Sequence, residues 1–292
     1  MHKYLRAVGF SDFRKRDLEI LLDEIIEHPE MMRVTRDSEE NEFAELSREF
    51  APNIGITVRG IFDDNDKFEI DYYYPFLVGT DISTYEEIEI QKHAEKESYA
   101  GVCDEINLGV TLIFYLQNVS DYLSEYRLSK IIPNQNGCVL SALSVDGKIL
   151  CPIQKKQKEQ SAYSKNKGNR SELIAEAREG NEEAIESLTL EDMDTYSLIS
   201  KRVKTEDVLS IVDTCFMPFG VESDQYSIIG EIRNFKIVEN KLTKENIYII
   251  NIVCNDLAFD VCINQKDLLG EPAVGRRFKG TIWLQGSIYY QS

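Results

Sequence analysis

The chain has 292 residues, 42% of them apolar and 29% charged, so it can bury a sizeable core and is long enough for two domains. Its formal charge of −18 repels a polyanion wherever Lys and Arg are not clustered. Residues 1–152 carry 29 acids and 15 bases, residues 153–180 carry 4 and 7, residues 181–224 carry 11 and 3, and residues 225–292 carry 7 and 8, which leaves the C-terminal region electrostatically open to an anion.

The opening MHKYLRAVGFSDFRKRDLEIL places charges where a secretory signal needs an apolar stretch, and no apolar run reaches about 18 residues, so a cytoplasmic protein without a membrane span is expected. Ser11 to His28 predicts a helix: Ser11 is placed as N-cap, Phe13, Leu18, Leu21, Leu22, Ile25 and Ile26 form one stripe, and Pro29 stops it. A second helix is predicted over Glu42 to Phe50, ended by Pro52 and Asn53. From Ile54 the period changes to alternation, and IGITVRGIF, DDND and KFEIDYYYPFLV read as a hairpin through an acidic turn. Further strands are expected over Glu87 to His93, over Leu108 to Gln117, and in the pair CVLSALSV and KILCPI, joined by a tight turn at Asp146-Gly147.

Residues 154–170 are basic, polar and nearly free of aliphatic side chains, and predict a flexible linker. Short capped helices follow over Ser171 to Arg178, Glu182 to Leu188, Leu190 to Ser200 and Glu206 to Asp213. After the break at Met217 to Gly220, alternation returns in SIIGEIRNFKIV, ENIYIINIVCN and LAFDVCINQ, then a helical turn, then GRRFKGTIWLQGSIYY. Five short strands with a helical turn after the third, and glycines at 270, 275, 280 and 286, resemble an OB-type barrel. The expected fold is therefore α+β: a mainly antiparallel α+β domain over 1–153, the linker 154–170, an acidic helical segment 171–224 and a small OB-like β-barrel over 225–292.

Motifs for chemistry are missing. No phosphate-cradling glycine loop, H-E-x-x-H, C-x-x-C or G-x-S-x-G occurs, so neither a cofactor nor a metal is expected. His2, His28 and His93 lack ligand spacing, and Asp63, Asp64 and Asp66 lack the glycine and distal Glu of a Ca²⁺ loop, which leaves a hairpin turn. Glu191, Asp192 and Asp194 read as a capped first helical turn. The six cysteines, Cys103, Cys138, Cys151, Cys215, Cys254 and Cys262, read as reduced small core residues. One constellation suggests a ligand: Arg233, Lys236, Arg276, Arg277 and Lys279 with Phe235, Tyr248, Phe278 and Trp283, the mixture of cations and aromatic faces that single-strand binders use.

The start MHKYLRAVGF, the segment EEAIESLTLEDMDTYSLISKRV, and FMPFGVESDQYSIIGEI leading into GRRFKGTIWLQGSI resemble an uncharacterised family of clostridial-type bacterial proteins, a family of unknown function. The resemblance runs the length of the chain and implies a bacterial cytoplasmic setting, but brings no activity, cofactor or site residue. Three readings remain. The leading one is a non-catalytic binding or adaptor protein with a protein partner. The second is single-stranded nucleic-acid binding through Arg233, Lys236, Arg276, Arg277, Lys279 and Trp283. The third is an enzyme with a carboxylate-based site that sequence spacing does not reveal.

Overall fold

The computed structural model describes residues 1–37, 40–63, 65, 67–92, 98–105, 108, 110–129, 135–153, 173, 176–177, 180–190, 193, 208–221 and 223–290. The basic segment 154–170, His93, Asp64, Asp66, Glu191, Asp192, Asp194 and most of the helices expected at 171–178 and 190–200 lie outside the described residues.

The N-terminus forms a 3-10 helix over Lys3–Val8 that buries Tyr4, Leu5, Ala7 and Val8. Gly9 ends it at φ 91, where a Cβ would also meet Asn240 at 2.9 Å, so glycine is required twice over. Helix α1 (Lys15–Glu27) buries Leu18, Leu21, Leu22 and Ile25 on one face. It starts later than expected. The Arg14 N–H donates to Asp17 Oδ2 at 3.0 Å and supplies the cap, whereas Ser11 Oγ donates to Glu245 at 2.5 Å and ties the chain to a distant loop.

Strands β1 (Met31–Arg36), β2 (Glu42–Ala51), β3 (Ile54–Phe62) and β4 (Phe68–Leu77) form an antiparallel meander. Residues 42–50 are therefore strand and not the expected helix. Leu46 and Phe50 pack into the core that contains α1, while Phe43 packs into the other core, so burial on both faces hides the alternation. The acidic turn between β3 and β4 is the expected hairpin: Asp63 Oδ1 accepts the N–H groups of Asn65 at 2.9 Å and Lys67 at 2.8 Å.

The second sheet takes β5 (Glu89–Lys92), β6 (Tyr99–Glu105), β7 (Val110–Leu116), β8 (Gln135–Leu150), β9 (Cys215–Pro218), β10 (Gln225–Glu239), β11 (Asn246–Cys254), β12 (Leu257–Asn264), β13 (Leu268–Leu269) and β14 (Arg277–Tyr290). Its order is β13-β8-β12-β11-β10-β14-β7-β6-β5, with β9 on β10. Helix α2 (Val119–Ser129) connects β7 to β8 and sends Val119 and Leu123 into the core. Helix α3 spans 182–190, where Asn181 Oδ1 accepts the Glu183 and Ala184 N–H groups, and α4 is Val208–Ile211. Among the described residues no helix is long and apolar enough to cross a membrane.

Two expectations about strands are overturned. Asp146-Gly147 is not a hairpin turn, because β8 runs through it without reversing and pairs with β14 along its length. A one-residue bulge at Val145 shifts the register there, and Gly147 is small for a packing reason: an added Cβ would lie 2.7 Å from both Ile263 and the Phe278 ring. The last segment is also one strand of 14 residues, β14, and not two short ones. The boundaries expected at 153 and 225 fall between partners, since β8 pairs antiparallel with β14 and parallel with β12.

Candidate functional site

The six residues proposed for a nucleic-acid surface are not gathered on one. Arg233, Lys236 and Arg276 are exposed and Lys279 is half-buried, but Arg277 and Trp283 are buried. The Arg277 guanidinium donates to the carbonyls of Cys151 at 2.9 and 3.0 Å, Leu209 at 2.8 Å and Val212 at 2.5 Å, so it clamps α4 to the end of β8 and has no fork left for a phosphate. Burial lowers its pKa. Trp283 Nε1 donates to Asp224 at 2.7 Å, and its ring stacks on Tyr4 and packs on Tyr115 and His2. Phe278 and Tyr248 point into the core.

The polar residues that the fold does bring together lie where the two sheets meet. Arg59, on β3, is fully buried. It donates to Glu45 at 2.5 Å, to the hydroxyls of Tyr72 at 2.6 Å, Tyr115 at 2.9 Å and Tyr74 at 3.1 Å, and to the carbonyls of Leu116 at 3.2 Å and Gln117 at 2.6 Å. Burial pulls the Arg59 pKa down, but the Glu45 carboxylate and the three phenol oxygens outweigh it and hold the group well above its usual value. Burial raises the pKa of Tyr72, Tyr74 and Tyr115, which keeps all three phenols protonated. The other oxygen of Glu45 accepts the Ser120 N–H at 3.1 Å in the first turn of α2, where a carboxylate also meets the positive end of the helix. Both Glu45 oxygens are thus engaged, and a carboxylate held this way is poorly placed to shuttle a proton.

Glu45, Tyr74 and Gln117 of this network line an open cleft of about 650 Å³ between the four-stranded sheet on one side and α2 with the end of β14 on the other, and the buried Arg59 holds them from behind. Five carboxylates line it, Glu30, Glu45, Glu49, Asp121 and Glu125, against two cations, Arg33 and Arg48. Arg33 pairs with Asp121 at 2.5 Å and Arg48 with Glu24 at 3.6 Å. Apolar wall comes from Met31, Phe76, Val78 and Ile288. Tyr290 also lines the cleft, and among the described residues its phenol OH is buried without a hydrogen-bond partner. No group of three His, Cys, Asp or Glu among the described residues is arranged to hold a metal ion.

Sequence spacing does not show this site, because its members come from β2, β3, β4, β7 and α2. One signal was available: Arg59 sits in IGITVRGIF with apolar neighbours, and a lone Arg in an otherwise apolar strand must find a carboxylate inside. The run Tyr72-Tyr73-Tyr74 is the second, since alternation sends Tyr72 and Tyr74 to one face.

A family model described as "Domain of unknown function, E. rectale Gene description (DUF3881)" matches residues 5–286, and the chain belongs to that family. No curated protein and no solved structure matches it.

Proposed function

We propose that this protein is a non-catalytic binding protein that receives its ligand in the cleft between the two sheets. One observation carries the reading: the cleft floor includes Glu45 and Tyr74, which the buried Arg59 fixes from behind together with Tyr72 and Tyr115. A floor locked in this way presents a preformed concave surface at little ordering cost, which is what a binding site needs. The test is native mass spectrometry of the protein isolated gently from its source, beside a Ser47→Trp variant that fills the cleft from β2. A species bound to the wild type and absent from the variant is expected. Bound species retained equally by both would place the binding site elsewhere.

An OB-like reading of the C-terminal strands is supported by their pairing. β10, β11 and β12 form a meander, β8 lies parallel to β12 and antiparallel to β14, and β14 pairs back to β10, with a 3-10 helix at Gln265–Asp267 after the third strand of the meander. This is the neighbour relation of an OB barrel with its last strand supplied first, by β8. Nucleic acid commonly meets such barrels on the face of the second and third strands. Here those are β11 and β12, and their outer residues Ile247, Ile249 and Cys262 pack against Tyr4, Leu5, Ala7 and Val8. The protein's own N-terminus occupies that face, which argues against the nucleic-acid reading. Six cysteines without a bridge fit a reducing, cytoplasmic setting.

A further inference from the structure

We infer that the cleft takes an extended peptide segment of a partner protein that presents a lysine or arginine side chain, an inference that rests on the cleft being the binding site. Its lining has three more carboxylates than cations, and both cations are committed within the molecule, Arg33 to Asp121 and Arg48 to Glu24. Glu45 is committed as well, to Arg59 and to the helix N-terminus. Glu49, half-buried on β2, has no side-chain partner among the described residues and faces the cleft. An anion entering here meets the Glu49 carboxylate, whereas an ammonium or guanidinium group gains a charge-assisted hydrogen bond to it. Tyr74, Phe76 and Tyr290 add aromatic side chains to the lining, and a cation is favoured on an aromatic face.

The shape selects a peptide over a free amine. The cleft has a volume of about 650 Å³ and takes its lining from β1, β2, β4, α2 and the end of β14, so a small polyamine would fill only part of it. Apolar Met31, Phe76, Val78 and Ile288 flank the acids, where the aliphatic stem of Lys or Arg can pack. Ser47 and Asn53 line the cleft with side chains that form no hydrogen bond among the described residues, leaving them for a peptide backbone.

Isothermal titration of the full chain with three probes tests this: an acetylated, amidated hexapeptide alternating lysine and alanine, its counterpart with norleucine for lysine, and spermidine. The lysine peptide is expected to bind about tenfold or more tighter than the other two and to weaken with salt. Glu49→Gln with Glu125→Gln should weaken it about fivefold or more, while Asp71→Asn on the exposed part of β4 leaves it unchanged. If the norleucine peptide binds equally well and Ser47→Trp abolishes both, the cleft is the site and the cationic preference is wrong. Spermidine binding as tightly as the lysine peptide would overturn the choice of a peptide. A lysine peptide that does not bind overturns the inference while leaving the cleft to the mass-spectrometric test. One that binds regardless of both the acid variants and Ser47→Trp removes the cleft reading too.

Discussion

Arg59→Met removes the cation that joins the two sheets and leaves its partners in place. Glu45, buried, then keeps only the Ser120 N–H, and the Leu116 carbonyl loses the hydrogen bond it receives from the guanidinium. Three phenol oxygens lose the donor they share, although Tyr74 still donates to the Gln117 carbonyl at 3.0 Å. Methionine fills much of the vacated volume, so the cost is electrostatic and not a cavity. Breaking a buried ion pair by deleting one partner costs about 3–5 kcal/mol, a large part of the roughly 5–15 kcal/mol by which a domain is stable. Urea unfolding at neutral pH measures it. Glu45→Gln combined with Arg59→Met should recover part of the loss, because the neutral amide no longer strands a charge and can still accept from Ser120. An Arg59→Met protein within about 1 kcal/mol of wild type would refute the view that this network holds the sheets together.

Gly147→Ala should destabilise by about 1–3 kcal/mol through overpacking against Ile263 and Phe278, seen as a lower urea midpoint; no change would mean that the close approach relaxes freely. Arg277→Ala should cost about 1.5–3 kcal/mol and speed proteolysis near α4, whereas the exposed neighbour Arg276→Ala stays within about 0.5 kcal/mol, and equal effects would contradict the clamp geometry. Burial first, and then Lys3 and the N-terminus, lower the His2 pKa from 6.5 to about 4, so the unfolded chain binds the extra proton in that window. The His2 contribution is complete above pH 6.5 and is lost as the pH falls towards 4; the stability difference between wild type and His2→Phe should therefore change between pH 7 and pH 4.5, and a constant difference would count against it. Residues 225–292 expressed alone lack β8, which pairs with both β12 and β14, and should give a disordered or aggregating fragment by circular dichroism; a folded monomer would show that β8 is dispensable.

The legible parts of the fold are those whose pattern is local. The β3–β4 hairpin has alternation on both sides of a turn rich in Asp and Asn, and the α1 stripe has helical spacing, so both can be read from neighbouring residues. Glu42 to Ala51 is not legible in this way, because covering both faces of β2 removes the polar alternation that marks a strand. Asp146-Gly147 has the composition of a tight turn, and only the proximity of Ile263 and Phe278, more than 100 residues away, shows why the glycine is needed. The same holds at the site. Arg59 could be flagged as a charge in an apolar strand, but its six acceptors are spread over three other elements and the loop after β7, which no spacing rule connects.

Regional charge counts leave the C-terminal strands open to an anion, and the fold brings the two ends of the chain together there. Lys266 donates to Asp12 at 2.9 Å, Ser11 at 3.0 Å and Glu245 at 2.8 Å, and Asp267 pairs with Arg6 at 2.5 Å, so charges of the C-terminal region are met by residues from the first dozen. The same N-terminal segment covers the outer face of β11 and β12, with Cys262 Sγ donating to the Ala7 carbonyl at 3.2 Å and Asn240 Nδ2 to the Val8 carbonyl at 2.9 Å. The cleft at the seam is concave and polar, and its arginines are paired while the Glu49 side chain has no partner among the described residues. The nearly neutral last quarter thus pairs part of its charge with the N-terminal segment, and Glu49 in the cleft is the group that the cationic segment inferred above would meet.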